Sequence, residues 1–258
     1  MNVTRRHFGK WGMGAVSLAA LKPSWLAAQA DGGFEKFGLT AVGALKTRPS
    51  AAVQASPLSV GYETLDRQHF DPLKTYAHAA QLGVKWARCQ TGWARCEKAR
   101  GQYEFAWLDE VVDGLLKIGI QPWFNLGYGN PLYTPKADEA AVGWAPVFDE
   151  AAMEAWKAFA ARIADHFKGR VAHWEIWNEP NITAFWKPGK PDAASYVKLV
   201  EQTAPIIRQR VPGAVIIGGG FAGIPMDYIA ACLDAGLGKQ VDKLSYHPYR
   251  ESPEKGYE

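Results

Sequence analysis

His173-Trp174-Glu175-Ile176-Trp177-Asn178-Glu179-Pro180-Asn181 brings two carboxyl groups, amides and two indoles into one short run. A carboxylic acid can protonate a departing oxygen and afterwards, as its conjugate base, take a proton from water. The amide of Asn178 beside Glu179 can hydrogen-bond a sugar 2-hydroxyl, a contact that strengthens in the transition state of glycoside cleavage. Trp174 and Trp177 carry flat apolar rings of the kind that sugars stack on. The run is rich in Trp and Ile up to Asn178 and is stopped by Pro180, so it reads as a buried strand with Asn178 and Glu179 at its carboxyl end.

The run resembles the acid/base strand of the retaining glycoside hydrolases of clan A, those of family 39 above all and then family 5. That resemblance implies hydrolysis of O-glycosidic bonds by double displacement, with Glu179 as acid/base and Asn178 beside it. Arg88, at the end of an earlier strand, matches the place where the clan puts an Arg against its nucleophile. Ser245-Tyr246-His247-Pro248-Tyr249 resembles the segment in which a His and a Tyr line the sugar site. The clan's nucleophile is a Glu at the end of a seventh strand. Glu251, Glu254 and Glu258 follow a sixth strand in a charged loop and match no such position, so the nucleophile is expected on a strand absent from this chain. A non-catalytic carbohydrate-binding barrel is the alternative from another class.

Each of these residues has a plainer reading. Glu179 could cap a helix, Arg88 could sit in a surface turn, and any single Trp could be core packing. Trp123, Asn125 and Tyr128, with Trp93, Trp177 and Trp186, are candidate walls of a sugar site. Glu175 would share a face with Trp177 and Glu179 if the strand stayed regular. Two strand repeats, roughly 13 Å, are too long for a retaining pair of carboxylates, which favours an interior or supporting role for Glu175.

The elements that must position these groups alternate. Short apolar runs at Leu58–Tyr62, Val84–Cys89, Gln121–Leu126, Val171–Trp177, Ala214–Gly218 and Lys243–Tyr246 read as buried parallel strands. Helical spacing recurs at Pro72–Leu82, Trp107–Ile118, Ala193–Arg210 and Met226–Ala235. A further helix carries Met153, Trp156, Phe159, Ile163 and Phe167 on one face, opened by Asp149-Glu150 and closed by Gly169. No hairpin signal is evident. Polar residues at successive strand ends (Glu63, Arg88, Asn125, Asn178-Glu179, His247-Tyr249) favour a (β/α)8 barrel over a doubly wound sheet. Six units are legible where a closed barrel needs eight, so residues 58–258 are expected to be a truncated barrel domain.

Residues 31–57 are expected to form an irregular lead-in. Thr4-Arg5-Arg6-His7-Phe8-Gly9-Lys10 resembles a twin-arginine export motif, with an apolar stretch from Trp11 to Leu26 and a small-residue cleavage site at Ala28-Gln29-Ala30. Lys22 and Pro23 leave that stretch too short to span a bilayer. Removing Arg5, Arg6, Lys10 and Lys22 takes the formal charge from +3 to −1, so nothing in the remainder argues for nucleic acid or an anionic membrane as partner. The expected partner is an oligosaccharide or glycoside, met in the periplasm or outside the cell.

Cys89, Cys96 and Cys232 are too few and too scattered for a disulfide framework or a zinc site, though Cys89 and Cys96 flank a predicted turn and could pair. Scattered histidines and a triple glycine without a following Lys-Ser/Thr imply no metal and no cofactor. Asn181-Ile182-Thr183 fits the N-glycosylation pattern and is expected to be coincidental. Changing Arg5 and Arg6 together to Lys should hold the protein in the cytoplasm of its host as the uncleaved precursor. Fractionation with N-terminal sequencing checks this, and continued export would overturn the leader assignment.

Overall fold

The structure, a computed structural model, describes residues 47–249 and 252. The proposed leader and the first part of the lead-in lie outside the described residues. The chain runs through β1 (Ser59–Tyr62), α1 (Tyr76–Ala79), β2 (Trp86–Gln90), α2 (Trp93–Cys96), β3 (Glu97–Ala99), β4 (Gln102–Tyr103) and α3 (Ala106–Lys117). It continues through β5 (Gln121–Leu126), α4 (Glu150–Phe167), β6 (His173–Ile176), α5 (Ala193–Arg210), β7 (Val215–Ala222), α6 (Met226–Asp234) and β8 (Lys243–His247). Six strands pair in parallel in the order β1-β2-β5-β6-β7-β8, each joined to the next by a helical crossover. This is an incomplete (β/α)8 barrel, as the alternation predicts.

Helix boundaries follow from capping. Asp149 accepts the Ala152 N–H at 2.8 Å to open α4, and Asp192 accepts that of Ser195 at 2.7 Å to open α5. After α3 the chain reverses at Gly119 (φ +80°), where a Cβ would lie 2.6 Å from the Ala51 Cα, so only glycine fits. The helix expected over Pro72–Leu82 is reduced to a 3-10 turn at Pro72–Lys74 and the single turn α1. Thr75 separates the two; its hydroxyl caps back onto the Pro72 carbonyl and meets the Tyr62 hydroxyl.

Strand alternation divides the sheet. Cys89, Phe124, Leu126, Trp174, Ile176 and Ile216 point one way into a fully buried core shared with the helices. From α4 come Trp156, Phe159, Ile163 and Phe167, all buried. Phe124 meets Phe167 edge-on at 4.9 Å, Trp93 stacks on Phe159 at 5.8 Å, and Trp156 donates from Nε1 to the Thr203 hydroxyl at 2.9 Å. The opposite alternates (Arg88, Gln90, Asn125, Glu175, Ser245, His247) are polar and face the barrel interior.

Two expectations need correction. The crossover from β2 to β5 contains an antiparallel hairpin, β3 against β4, turning at Arg100-Gly101 with Gly101 at φ +74°. Its two-residue turn was the legible signal. Cys89 and Cys96 do not pair: all three cysteines are free and buried, and α2 stands where a turn was expected. Burial pushes the Cys89 and Cys96 thiols well above their usual range, so they behave as small apolar core residues.

Phe159→Ala should lower the free energy of unfolding by about 3–5 kcal/mol, the usual cost of emptying a buried aromatic site. Urea titration followed by Trp fluorescence measures it, and a loss below about 1 kcal/mol would contradict the core described here.

Candidate active site

The site is built where β6 ends. Ile176 is the last regular residue; Trp177 (φ +72°) and Glu179 (φ +51°) then adopt left-handed backbone that side-chain-bearing residues rarely take. Alternation therefore stops at Ile176, and Glu175, Trp177 and Glu179 do not form the single row that a regular strand would give. Hydrogen bonds to the backbone over-determine the turn. The Trp177 N–H reaches the Leu126 carbonyl at 2.9 Å, the Glu179 N–H reaches the Gly220 carbonyl at 2.8 Å, and Asn125 Nδ2 donates to the Trp177 carbonyl at 2.6 Å. Strain of this kind is held at sites where it sets up chemistry.

Glu179 is almost buried and its Oε1 lies 2.8 Å from His247 Nδ1, so the structure brings together these two predicted residues from β8 and the end of β6. Asn178 accepts from Arg88 Nη2 at 2.9 Å. Its Nδ2 has no partner among the described residues. Pro180 accepts from the Tyr228 hydroxyl, and Asn181 pairs with Ala222 in both directions, Nδ2 to carbonyl at 2.9 Å and Oδ1 from N–H at 2.8 Å. The Asn181 amide is thus engaged in fastening the loop to β7.

Beneath Asn178 and Glu179 lies a charge network, buried at Arg88 and Glu175 and open to solvent at Glu63. Arg88 donates from Nε (2.8 Å) and Nη2 to Glu175 Oε2, and from Nη1 to Glu63 at 2.7 Å. Asn125 Nδ2 donates to the same Glu175 oxygen at 2.8 Å, and the Ser245 hydroxyl meets Glu175 Oε1. Burial alone would lower the Arg88 pKa, but the carboxylates of Glu175 and then Glu63 outweigh it and lift the guanidinium above its usual value.

Several expected sugar contacts are corrected by burial. Trp177 has no exposed surface: it packs against Tyr128, Trp156 and Trp186, and its Nε1 donates to the Phe185 carbonyl at 2.8 Å. Trp93, Trp186 and Tyr128 are core in the same way, and Asn125 is fully enclosed, acting on Glu175 and the backbone. Trp123, partly exposed with Arg88 5.6 Å from its ring, and Tyr249, 85 % exposed and 6.2 Å from the His247 ring, keep accessible faces.

Sequence reasoning did not single out Ser245, although its place two residues before His247 puts both on one strand face. A cavity of about 820 Å³ lies to one side, between loops after β1, β2 and β5, lined by Asp66, Arg67, Arg95 and Lys98 among others. None of Asn178, Glu179 or His247 lines it. Among the described residues no cluster of His, Cys, Asp or Glu could hold a metal ion, and no helix is long and apolar enough to cross a membrane.

An Asn-Glu pair at a strand end of a parallel α/β barrel, over a buried Arg, is the arrangement that the resemblance to clan A implies. The family model described as glycosyl hydrolases family 39 matches residues 54–256, and the chain belongs to that family. A β-xylosidase of Geobacillus stearothermophilus is 29% identical over 160 residues, 57% of this chain and 31% of the relative. A family 39 glycoside hydrolase from the gut symbiont Bacteroides cellulosilyticus WH2 superposes with a TM-score of 0.61 at 26% identity, over 78% of this chain and 39% of that one. A family 39 β-xylosidase of Caulobacter crescentus shares the fold, with a TM-score of 0.57 at 21% identity over 78% and 48%. The chain spans about a third of the length of the curated relatives it matches.

Arg88→Leu should destabilise the protein by about 3–5 kcal/mol, because it leaves Glu175 buried without its cation. The double change Arg88→Leu with Glu175→Leu should lose less than the single one. Urea denaturation of both variants checks this, and simple additivity would show that the two side chains are uncoupled.

Proposed function

We propose that this chain carries the acid/base half of a retaining glycosidase site, acting on an oligosaccharide or glycoside after twin-arginine export to the periplasm or medium. The observation that supports it is the placement of Glu179 beside Asn178 at the end of β6, within hydrogen-bond distance of His247. In the first step the Glu179 carboxylic acid protonates the glycosidic oxygen while a carboxylate on the opposite side attacks the anomeric carbon. In the second, the Glu179 carboxylate takes a proton from the water that releases the sugar.

Asn178 contributes the contact to the sugar. Arg88 occupies its Oδ1, which leaves both Nδ2 hydrogens for the 2-hydroxyl, where the bond tightens as the anomeric carbon gains charge. His247 orients Glu179, and Trp123 and Tyr249 have ring surface for a sugar to stack on. We assign the nucleophile to a Glu on a strand outside these 258 residues, as the resemblance to the clan implies, since Glu175 is fully enclosed and Glu63 lies at the end of β1. Arg88 uses four of its five N–H groups in this network, and the fifth, on Nη1, is the natural place for that nucleophile to dock. The β-xylosidase relatives make β-xylosides the first substrates to screen.

In the protein as its host produces it, Glu179→Gln should cut kcat/KM on an alkyl xyloside or xylooligosaccharide by about 10²–10⁴-fold, the usual contribution of a general acid. On dinitrophenyl glycosides, whose leaving group needs no proton, kcat/KM should be nearly unaffected while kcat falls, because release of the sugar loses its base. Equal activity of variant and parent on the unactivated substrate would sink the assignment. Oligosaccharide binding without turnover, indifferent to this change, would instead mark a non-catalytic carbohydrate-binding barrel.

A further inference from the structure

Glu175 has no exposed surface and touches neither face of the open site, yet every one of its hydrogen bonds leads toward a functional group. Oε2 accepts from Arg88 Nε and Nη2 and from Asn125 Nδ2. The same Arg88 Nη2 donates to Asn178 Oδ1, so this oxygen fixes, through one guanidinium, which way the Asn178 amide faces. Oε1 runs a second arm. The Gly220 N–H donates to Ser245 Oγ at 2.7 Å, and an amide N–H can only donate, so the single Ser245 proton must point to Glu175. The carbonyl of Gly220 in turn accepts the Glu179 N–H at 2.8 Å.

The residues on this path leave little slack. Gly220 sits at φ +57°, and a Cβ there would stand 3.4 Å from Glu175 Oε1, in ordinary contact with the carboxylate; Glu179 is itself left-handed at φ +51°. A hydroxyl from the adjoining helix supports the same bend: Tyr196 accepts the Gly219 N–H at 2.6 Å and donates to the Ile176 carbonyl at 3.0 Å. The backbone of Glu179 is therefore tied to β7 and, through Ser245, to β8. A carboxylate serves here where an amide would not. Glutamine, whichever way its amide faced, would turn a donor toward Ser245 or toward Arg88 and Asn125, which themselves donate, and would leave the buried Arg88 with one anionic partner fewer.

We infer that Glu175 is the positioning residue of this site: one oxygen orients Asn178 through Arg88, and the other sets the Glu179 backbone through Ser245 and Gly220. The inference deepens the acid/base reading and rests on it for its kinetic consequence. Ser245→Ala cuts only the second arm and leaves Arg88 paired, so it is the variant least prone to unfold. Glu175→Gln loosens both.

The test joins hydrogen exchange with kinetics on the protein from its own host. In Ser245→Ala the Glu179 amide should exchange at least about tenfold faster, as expected when one buried bond supporting it is lost, with the Phe124 and Trp174 amides unchanged. Its kcat/KM on an alkyl glycoside should fall by about 10–100-fold while a dinitrophenyl glycoside changes less than about threefold. Unaltered protection of Glu179, or equal losses on both substrates, would overturn the inference, because a merely structural serine does not discriminate leaving groups. Glu179→Gln run beside it separates the two ideas. If Glu179→Gln shows the leaving-group split and Ser245→Ala does not, positioning fails alone. If neither shows it, or the parent does not turn over, the acid/base reading fails and the exchange result still decides whether the arm exists. Glu175→Gln, where it folds, should show the larger fall in kcat with KM nearly unchanged, and wild-type kinetics in it would also overturn the inference.

Discussion

A guanidinium and a carboxylate buried together, Arg88 against Glu175, set the terms for the interior of this barrel. Removing both charges from water costs several kcal/mol per ion unless the remaining donors and acceptors are occupied. That demand accounts for the company they keep: Asn125 from β5, Ser245 from β8, Asn178 from the end of β6 and Glu63 from the end of β1. Each strand that contributes a partner is held in register with its neighbours by the same bonds. A polar centre of this sort stabilises less than an apolar one of equal volume, but it permits few alternative packings, which is what a site with fixed geometry requires.

The strained backbone at Trp177 and Glu179 depends on the same arrangement. Left-handed conformations at residues with side chains cost on the order of 1–3 kcal/mol each. The Trp177 indole, enclosed by Tyr128, Trp156 and Trp186, the backbone bonds to Leu126 and Gly220 and the side-chain amide of Asn125 hold the chain where it would not otherwise stay. The aromatic richness of the motif therefore has a mechanical reading. The rings stabilise a bend that aims Asn178 and Glu179, and most of them have no surface left for a ligand.

All six parallel strands and α3 to α6 were legible because their apolar periodicity reports burial directly: strands buried on one face by helices cannot hide their pattern. The Asn178-Glu179 strand end was legible for the same reason, since two polar residues closing an apolar run are conspicuous. What escaped had no such signature. The β3–β4 hairpin, three residues against two, is too short for any alternation to mark it. Trp177 reads as a platform in one dimension and becomes core once a left-handed turn rotates it away from the strand's face. Ser245 is an ordinary serine until the sheet brings it, seventy positions later in the chain, against Glu175.

The two faces of the sheet consequently answer to different constraints. Outward alternates form a continuous apolar layer with the helices, in which a change of volume is felt locally. Inward alternates form a chain of hydrogen bonds, in which removing one partner leaves another buried and unsatisfied several residues away. Fold alone does not fix function in a barrel, since substrate contacts come from the loops at the strand ends. The ring surfaces that remain open, Trp123 and Tyr249, belong to the first kind of variation, free to change with the sugar. The Glu175 network belongs to the second: it holds the Glu179 carboxyl and the Asn178 amide in one fixed arrangement, and of the two open rings only that of Trp123 touches it, through Arg88.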